Sequence, residues 1–487
     1  MPRMSFSQNL YDLLDMKVMN KVIDSCAFLD FCAVDSPNQV SDGDAIGRFR
    51  NILIENGLQE KCDKDTHSVK KGNQRIDIMP DCIIIGGGAA GLMAAVTAAD
   101  CGKSVIIFEK NQRVGKKLLI TGKGRCNVTN NCTREEFFEN IPTNSRFLYS
   151  AYSGYDCEDV MSFFECLDVP LKTERGNRVF PVSDRAEDIV IAFERAIKYR
   201  SGLITVKNAK VTKILTEDNA VTGVVADGIA YHAPSVLIAC GGRSYPKTGS
   251  DGDGFRFAKE LGHKVTPLRP SLVPLVSEED WCRDAMGLSL KNVTLTLKDN
   301  ESEKVLYSEL GEMLFTHFGI SGPLVLSASG HISKMQRDRY SVHIDLKPAL
   351  DEKTLDARLQ RDFADNSNRD FINSLGKLLP AKLIPVIVKL SGIDGGKKVN
   401  QISRKERITL MQLLKDLTVT VKDFRPIDEA IVTGGGVCIS EINPKTMESK
   451  LVKGLYFAGE VIDVDAYTGG FNLQIAFSTG HAAGMAM

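Results

Sequence analysis

The 487-residue chain has no excess of either charge, no cysteine pair at metal-binding spacing and no apolar run long enough to span a bilayer. Lys and Arg number 61 against 62 Asp and Glu, a formal net charge of −1, so no overall field draws the protein to nucleic acid or to an anionic membrane. The longest apolar run, Ala89–Ala99, falls well short of the roughly 18 residues that a membrane-spanning helix needs. A signal-peptide core is missing as well, since Asp12, Asp15 and Lys17 interrupt the N-terminal segment, and a cytoplasmic location is the expectation. The 12 cysteines are scattered. Their nearest pairs, Cys26/Cys32 and Cys126/Cys132, are each separated by five residues, which fits neither a zinc site nor a CxxC dithiol. No metal site is expected, and no tandem repeat of fixed period occurs.

With 43% apolar and 25% charged residues, the chain can bury several cores, and its length suggests two to four domains. Its first 78 residues read differently from the rest. Helical patterns around Leu10–Phe31 and Ile46–Leu58 precede a polar stretch from Lys61 to Gln74 that has the composition of a linker. The segment Ser41-Asp42-Gly43-Asp44-Ala45-Ile46-Gly47-Arg48-Phe49-Arg50-Asn51 onward resembles the N-terminal helical region of insertion-sequence transposases of the DDE class, over residues 5–60. That resemblance implies an appended fragment without transposition chemistry.

After Met79 the pattern becomes strand, glycine turn and helix. Cys82-Ile83-Ile84-Ile85 runs into Gly86-Gly87-Gly88-Ala89-Ala90-Gly91, which opens into the alanine-rich stretch Leu92–Ala99. Gly86 allows the tight turn, Gly88 lets backbone approach a pyrophosphate, and Gly91 lets helix and strand pack closely, with the helix N-terminus facing the anion. Glu109 ends the next apolar run, 18 residues beyond Gly91, where a carboxylate accepts hydrogen bonds from ribose hydroxyls. Short β-branched runs follow at 203–206, 211–215 and 221–226. Another, Ser235–Ala239, leads into a second glycine turn, Cys240-Gly241-Gly242. Alternating stretches between Val265 and Phe424, then a mostly helical pattern from Thr354 to Leu417, predict an inserted small β-barrel with helices. The nucleotide-binding pattern resumes at Leu455–Glu460.

Two further segments carry chemistry. The loop from Arg113 to Asn130 interleaves Gly115, Gly122 and Gly124 with Lys116, Lys117, Lys123 and Arg125. Such a loop can pass under a flat ring while offering backbone N–H groups and cations, as a flavin requires. Near the C-terminus, a strand delivers Asp463 toward ribityl or phosphate-side hydroxyls. Gly469-Gly470 starts a helix whose positive end can face the N1/O2 edge of a reduced flavin.

The segments IIIGGGAAGLMAA, GKKLLITGKGRCNVTN, ACGGRSYPKTGSDGDG, LFTHFGISGP and GLYFAGEVIDVDAYTGGFNLQIAFSTG together resemble a bacterial family of NAD(P)/FAD-dependent, aminoacetone-oxidase-like flavoproteins that includes a bile-acid-pathway enzyme. The resemblance runs from Met79 to the end. It implies an α/β fold: a Rossmann-like, two-dinucleotide-binding FAD domain interrupted by a β-barrel and a helical subdomain. The division would be an appended segment at 1–78, FAD-binding parts at 79–264 and 425–487, a barrel at 265–350 and helices at 351–424. FAD contacts are then expected from Gly86, Gly88, Ala89, Ala90, Gly91, Glu109, Lys110, Lys117, Gly122, Gly124, Arg125, Asn127, Gly241, Gly242, Gly459, Glu460, Asp463, Gly469, Gly470, Phe471, Asn472 and Leu473.

Three residues stand as catalytic candidates, each with a structural alternative. His317 is a proton donor or part of a turn, Arg125 polarises a substrate carbonyl or anchors flavin, and Cys126 is redox-active or merely packed. Arg175, Arg178 and Tyr245 line a substrate face or are solvated. The expected reaction is hydride transfer between flavin N5 and a small organic substrate such as an unsaturated carbonyl compound. NAD(P)H is the expected electron source and transient co-substrate, but no convincing second GxGxxG unit is present for its tight binding, and docking on the flavin face and reoxidation by oxygen both stay open. The rival readings are an RNA-modifying or fumarate-reductase-like flavoprotein, and a DNA-binding protein governed by the N-terminal segment. No nucleic-acid or membrane partner is expected.

Overall fold

The computed structural model describes residues 79–332 and 334–487. The segment 1–78, with its two helical patterns and its transposase resemblance, lies outside the described residues.

A five-stranded parallel sheet organises the nucleotide-binding part, in the order Leu455–Phe457, Ser235–Ile238, Cys82–Ile85, Val105–Glu109, Ile204–Asn208. The three central strands are covered on both faces, and their β-branched and aromatic residues are almost all buried. Strand order reverses at Cys82–Ile85, because the chain first adds a neighbour on one side and later one on the other. The crevice beyond that strand's C-terminal end is where such sheets bind ligands. A separate antiparallel sheet of Val211–Glu217, Ala220–Ala226 and Ile229–His232 caps one side.

The helix Ala89–Asp100 is buried along ten consecutive residues because the C-terminal helix Phe471–Ala486 lies along its outer face. Small residues set their spacing: a Cβ on Gly480 would come within 2.4 Å of the Ala90 carbonyl oxygen, and one on Gly484 within 2.6 Å of that of Ala94. The helices therefore run parallel. Since Gly480 sits opposite Ala90, the C-terminal helix starts eight residues earlier along the shared direction, an offset of about 12 Å at 1.5 Å per residue. Two positive helix ends thus face the same way at different depths.

The insertion is a closed six-stranded barrel of Leu275–Ser277, Gly319–Ser321, Lys304–Thr316, Ser289–Asp299, Tyr340–Asp345 and Leu417–Phe424. The barrel is not complete within 265–350. Its closing strand Leu417–Phe424 comes after the helices Glu352–Asp365, Phe371–Ser374, Ile384–Ser391 and Arg404–Lys415. Leu417, Val419 and Val421 alternate inward in that strand, a period of two that marks it as sheet. Barrel and helices share one hydrophobic core, Leu295 and Val342 with Leu355, Phe371 and Leu410, distinct from the core of the nucleotide-binding part. Among the described residues, no helix is long and apolar enough to cross a membrane, and no three potential metal-binding side chains gather.

Candidate functional site

A cavity of about 340 Å³ runs from the Gly86–Ala90 turn to the start of the C-terminal helix, with walls from both glycine turns, the basic loop and the links to the barrel. At its head, Gly86 has φ +108°, and any Cβ there would meet the Ala239 carbonyl oxygen at 2.5 Å. Gly88 has an ordinary φ of −87° and nothing within 4 Å of a Cβ, so its side-chain position opens into the cavity. It caps the helix Ala89–Asp100, which has no acidic residue in its first turn, and that helix's N–H groups and positive dipole end are left for an anion.

Glu109 sits at the end of the second strand, buried. Its Oε2 accepts the Gly87 N–H at 2.9 Å and its Oε1 accepts two N–H groups of Asn111, at 2.8 and 2.7 Å. A carboxylate held so firmly keeps lone pairs for ribose hydroxyls. Lys110 alongside is matched by Asp251 at 2.7 Å and Asp253 at 3.2 Å. Burial alone would lower its pKa, but the two carboxylates raise it above the usual value.

Midway, Lys117 Nζ lies 2.7 Å from Glu460 Oε2 and 2.8 Å from the Ser244 hydroxyl, which donates to Glu460 Oε1 at 2.9 Å. The Thr433 N–H completes the set at 2.8 Å. Burial would raise the Glu460 carboxyl, yet the Lys117 charge overrides it and holds the group below the ordinary carboxylate range. This acid, not Asp463, is the one that the C-terminal strand brings to the cavity. Asp463 is turned toward Thr266 and Asp465, and its pKa is raised, chiefly by burial.

At the far end, Gly470 caps the C-terminal helix with φ +100°, and a Cβ there would lie 2.3 Å from the Thr129 carbonyl oxygen. Asn130 Nδ2 donates to the Gly469 carbonyl at 2.9 Å, and Asn472 folds the preceding loop through Ala466 and Tyr467. Asn127 Oδ1 is a buried acceptor without a hydrogen-bond partner in a residue that lines the cavity. Tyr467 lines it too, and its hydroxyl is 3.2 Å from His331 Nδ1, the two rings stacked at 4.7 Å. Burial pushes the phenol up to about 12 and lowers the His331 imidazole.

These features fit FAD. An open helix end suits the pyrophosphate, a fixed acid the ribose, and a second helix end, with Asn127 awaiting a donor, the flavin ring. The cavity wall includes sixteen of the expected contacts: Gly86, Gly88, Ala89, Ala90, Glu109, Lys110, Lys117, Gly122, Asn127, Gly241, Gly459, Glu460, Gly469, Gly470, Asn472 and Leu473. Gly91, Gly124, Gly242 and Phe471 are not on it. Gly91 packs against the Gly86 carbonyl, Gly242 against Thr433 and Glu460, and Phe471 lies 6.0 Å from Phe137 within an aromatic cluster.

The three catalytic candidates lie off the cavity wall. Arg125 points away from the cavity, paired with Glu174 and Asp184 and lying 4.2 Å over the Phe180 ring. Cys126 is fully buried, and that burial pushes its thiol up to about 12, which suits packing rather than redox chemistry. His317 is exposed at the turn of a barrel hairpin. Arg175, Arg178 and Tyr245 likewise lie off the cavity wall. Sequence reasoning missed His331, Ser244 and Thr433. Their signal is tertiary, since each reaches the site from a different part of the chain. Tyr467 was within reach of the sequence, two residues before Gly469.

Fold and cavity together define an FAD-dependent oxidoreductase built on a Rossmann-type domain. The chain belongs to the family described as HI0933-like protein Rossmann domain, whose match covers residues 80–486. It is 31% identical over 408 residues to a 3-dehydro-bile acid delta(4,6)-reductase of Clostridium scindens, covering 83% of this chain and 98% of that one. It is also 31% identical over 409 residues to a ribosomal RNA dihydrouridine synthase of Haemophilus influenzae, with the same coverage of 83% and 98%. Among solved structures it is similar to a flavocytochrome c3 fumarate reductase, with a TM-score of 0.44 and 18% identity over 88% of this chain and 80% of that one. The transposase resemblance of residues 5–60 is not borne out by these comparisons.

Proposed function

We propose that the protein reduces a carbon–carbon double bond conjugated to a carbonyl, taking its electrons from NAD(P)H that docks transiently. That chemistry is common to the two relatives. A 3-dehydro delta(4,6) substrate carries a ketone and double bonds, and dihydrouridine is uridine whose ring double bond, itself conjugated to a carbonyl, has been reduced. Bound FAD supplies the hydride.

The chain's own contribution is a field and a proton. The start of the C-terminal helix, with no acidic residue in its first turn, stabilises negative charge that builds up beside it. Tyr467 is the observation that carries the reading. Its phenol lines the cavity with the hydroxyl 3.2 Å from His331 Nδ1, and burial holds its pKa further above neutral pH, so it can hand a proton to the carbon next to the carbonyl. The cavity wall there includes the buried apolar side chains of Leu272, Val432 and Val464.

A second reading, reduction of uridine in ribosomal RNA, is favoured by rRNA dihydrouridine synthases of Haemophilus influenzae and Escherichia coli matched over 98% and 96% of their lengths. We favour a small molecule, because three of the four lysines on the cavity wall, Lys110, Lys117 and Lys210, are engaged by carboxylates, and Lys116 alone faces none. On this reading the reaction runs in the cytoplasm and needs no nucleic-acid or membrane partner.

The test begins with the visible spectrum of the purified protein. It continues with anaerobic reduction by NADH or NADPH, then reoxidation by 2-cyclohexen-1-one, 4-androstene-3,17-dione or unmodified ribosomal RNA. Reoxidation by an enone supports the proposal, and reoxidation by RNA alone selects the second reading. A colourless protein that fails to take up FAD overturns both.

A further inference from the structure

Away from the cofactor cavity, the fold brings together two cysteines that lie 25 residues apart in sequence. Cys132 sits in the loop after the short strand Thr129–Asn130, and Cys157 is the first residue of the helix Cys157–Cys166. Both line a second cavity, of about 500 Å³, together with Asn131, Arg134, Tyr152 and Met161. The Cys132 thiol lies beside Cys157 on this wall, next to the backbone of Asn130, and the Tyr152 hydroxyl donates to the Cys157 sulfur at 3.5 Å.

A hydroxyl donor on one sulfur favours its anion. The neighbouring Cys132 thiol, foremost, outweighs burial and lowers the Cys157 pKa, while that same contact raises Cys132. Arg134 on the wall adds positive charge, against the carboxylates of Asp156 and Glu158. Among the other described cysteines, burial pushes Cys82, Cys126, Cys240 and Cys282 up to about 12, Cys101 and Cys166 are exposed, and Cys438 is half-buried with its sulfur 3.1 Å from the Ser440 hydroxyl.

We propose that Cys132 and Cys157 form a peroxide-reactive dithiol site, in which Cys157 is the nucleophile and Cys132 the resolving thiol. The Cys157 thiolate attacks one oxygen of a hydroperoxide, breaking the O–O bond and leaving a sulfenic acid; with hydrogen peroxide the departing oxygen takes up a proton and leaves as water. The Cys132 sulfur then attacks the sulfenic sulfur and expels hydroxide, which leaves as water with the thiol proton. Two thiols are oxidised to one disulfide while hydrogen peroxide is reduced to two waters. The site also touches the cofactor region, because Asn130, whose backbone lies beside Cys157, donates to the Gly469 carbonyl through its side chain at 2.9 Å.

The holoenzyme as purified is treated with one equivalent of hydrogen peroxide at neutral pH, alkylated, digested without reductant and mapped by mass spectrometry. The expected product is a Cys132–Cys157 cross-linked peptide, reversed by dithiothreitol and formed before Cys101 or Cys166 is oxidised. A second measurement needs no oxidant: the rate at which limiting iodoacetamide labels Cys157 should climb with pH through a midpoint below the ordinary thiol value of about 8.5, a profile that buried position alone does not shift. In C132S the reaction should stop at a sulfenic acid trapped by dimedone on Cys157. The proposal is overturned if the exposed cysteines oxidise first, if no 132–157 peptide forms, or if Cys157 labelling climbs only at or above the ordinary thiol value.

Discussion

Gly88 and Gly91 stand three residues apart in one glycine turn, and substituting each with alanine should separate cofactor binding from folding. At Gly88 a methyl group meets no protein atom within 4 Å, and the backbone is already at φ −87°, ψ −170°, a conformation that any L-residue adopts. G88A should therefore leave the apoprotein's unfolding temperature unchanged. Its methyl group would occupy the space where a pyrophosphate meets the helix end. Losing one or two charge-assisted hydrogen bonds at about 1.5–3 kcal/mol each should weaken FAD binding about 100-fold or more. At Gly91 the new Cβ would lie 2.0 Å from the Gly86 carbonyl oxygen, a backbone atom that cannot swing aside. Overpacking of that kind costs about 3 kcal/mol, and the helix propensity gained over glycine returns about 1 kcal/mol. The remaining loss of about 2 kcal/mol lowers the apoprotein's melting temperature by a few degrees. Differential scanning fluorimetry of the apoproteins and FAD titration by flavin fluorescence read the two effects separately. The reasoning fails if G88A binds FAD normally, or if it destabilises the apoprotein as much as G91A does.

Other outcomes follow from the same geometry. Because Glu460 has a depressed pKa in the fold, its contribution to stability is complete above the unfolded-state value of about 4.3 and is lost as pH falls through its folded value. Wild-type apoprotein should thus lose melting temperature in that acidic window more steeply than E460Q, and equal slopes would remove Glu460 from the account. Y467F should slow oxidation of the reduced enzyme by an enone about 100-fold or more while its reduction by NAD(P)H in stopped flow stays unchanged; a loss confined to the reductive half-reaction would refute the proton-donor role. N127A should weaken FAD about tenfold, the value of one buried hydrogen bond, measured by the same fluorescence titration. R125M and H317N, both off the cavity, should bind FAD within about twofold of wild type, the range expected of exposed polar side chains.

Much of this protein was legible in its sequence because the informative signals are local. A strand, a glycine turn and a helix follow one another without a break from Cys82 to Asp100, and the dinucleotide-binding function of that unit resides in its own backbone. Glu109 was legible for the same reason, since its distance from the turn is set by one helix and one strand. The alternation of inserted strands also showed the barrel, though not that Leu417–Phe424 closes it beyond four helices. What only the tertiary structure decided depends on which way side chains point and on contacts between distant segments. Arg125, Cys126 and His317 carry reactive chemistry as residue types, but packing turned the first outward, buried the second and left the third on a hairpin tip. Packing likewise chose Glu460 over Asp463, because Lys117 reaches one and not the other. It also set His331 behind Tyr467 and joined Cys132 to Cys157. Sequence periodicity specifies faces and turns, whereas a pair of side chains from separate elements meets only where two packed surfaces place them.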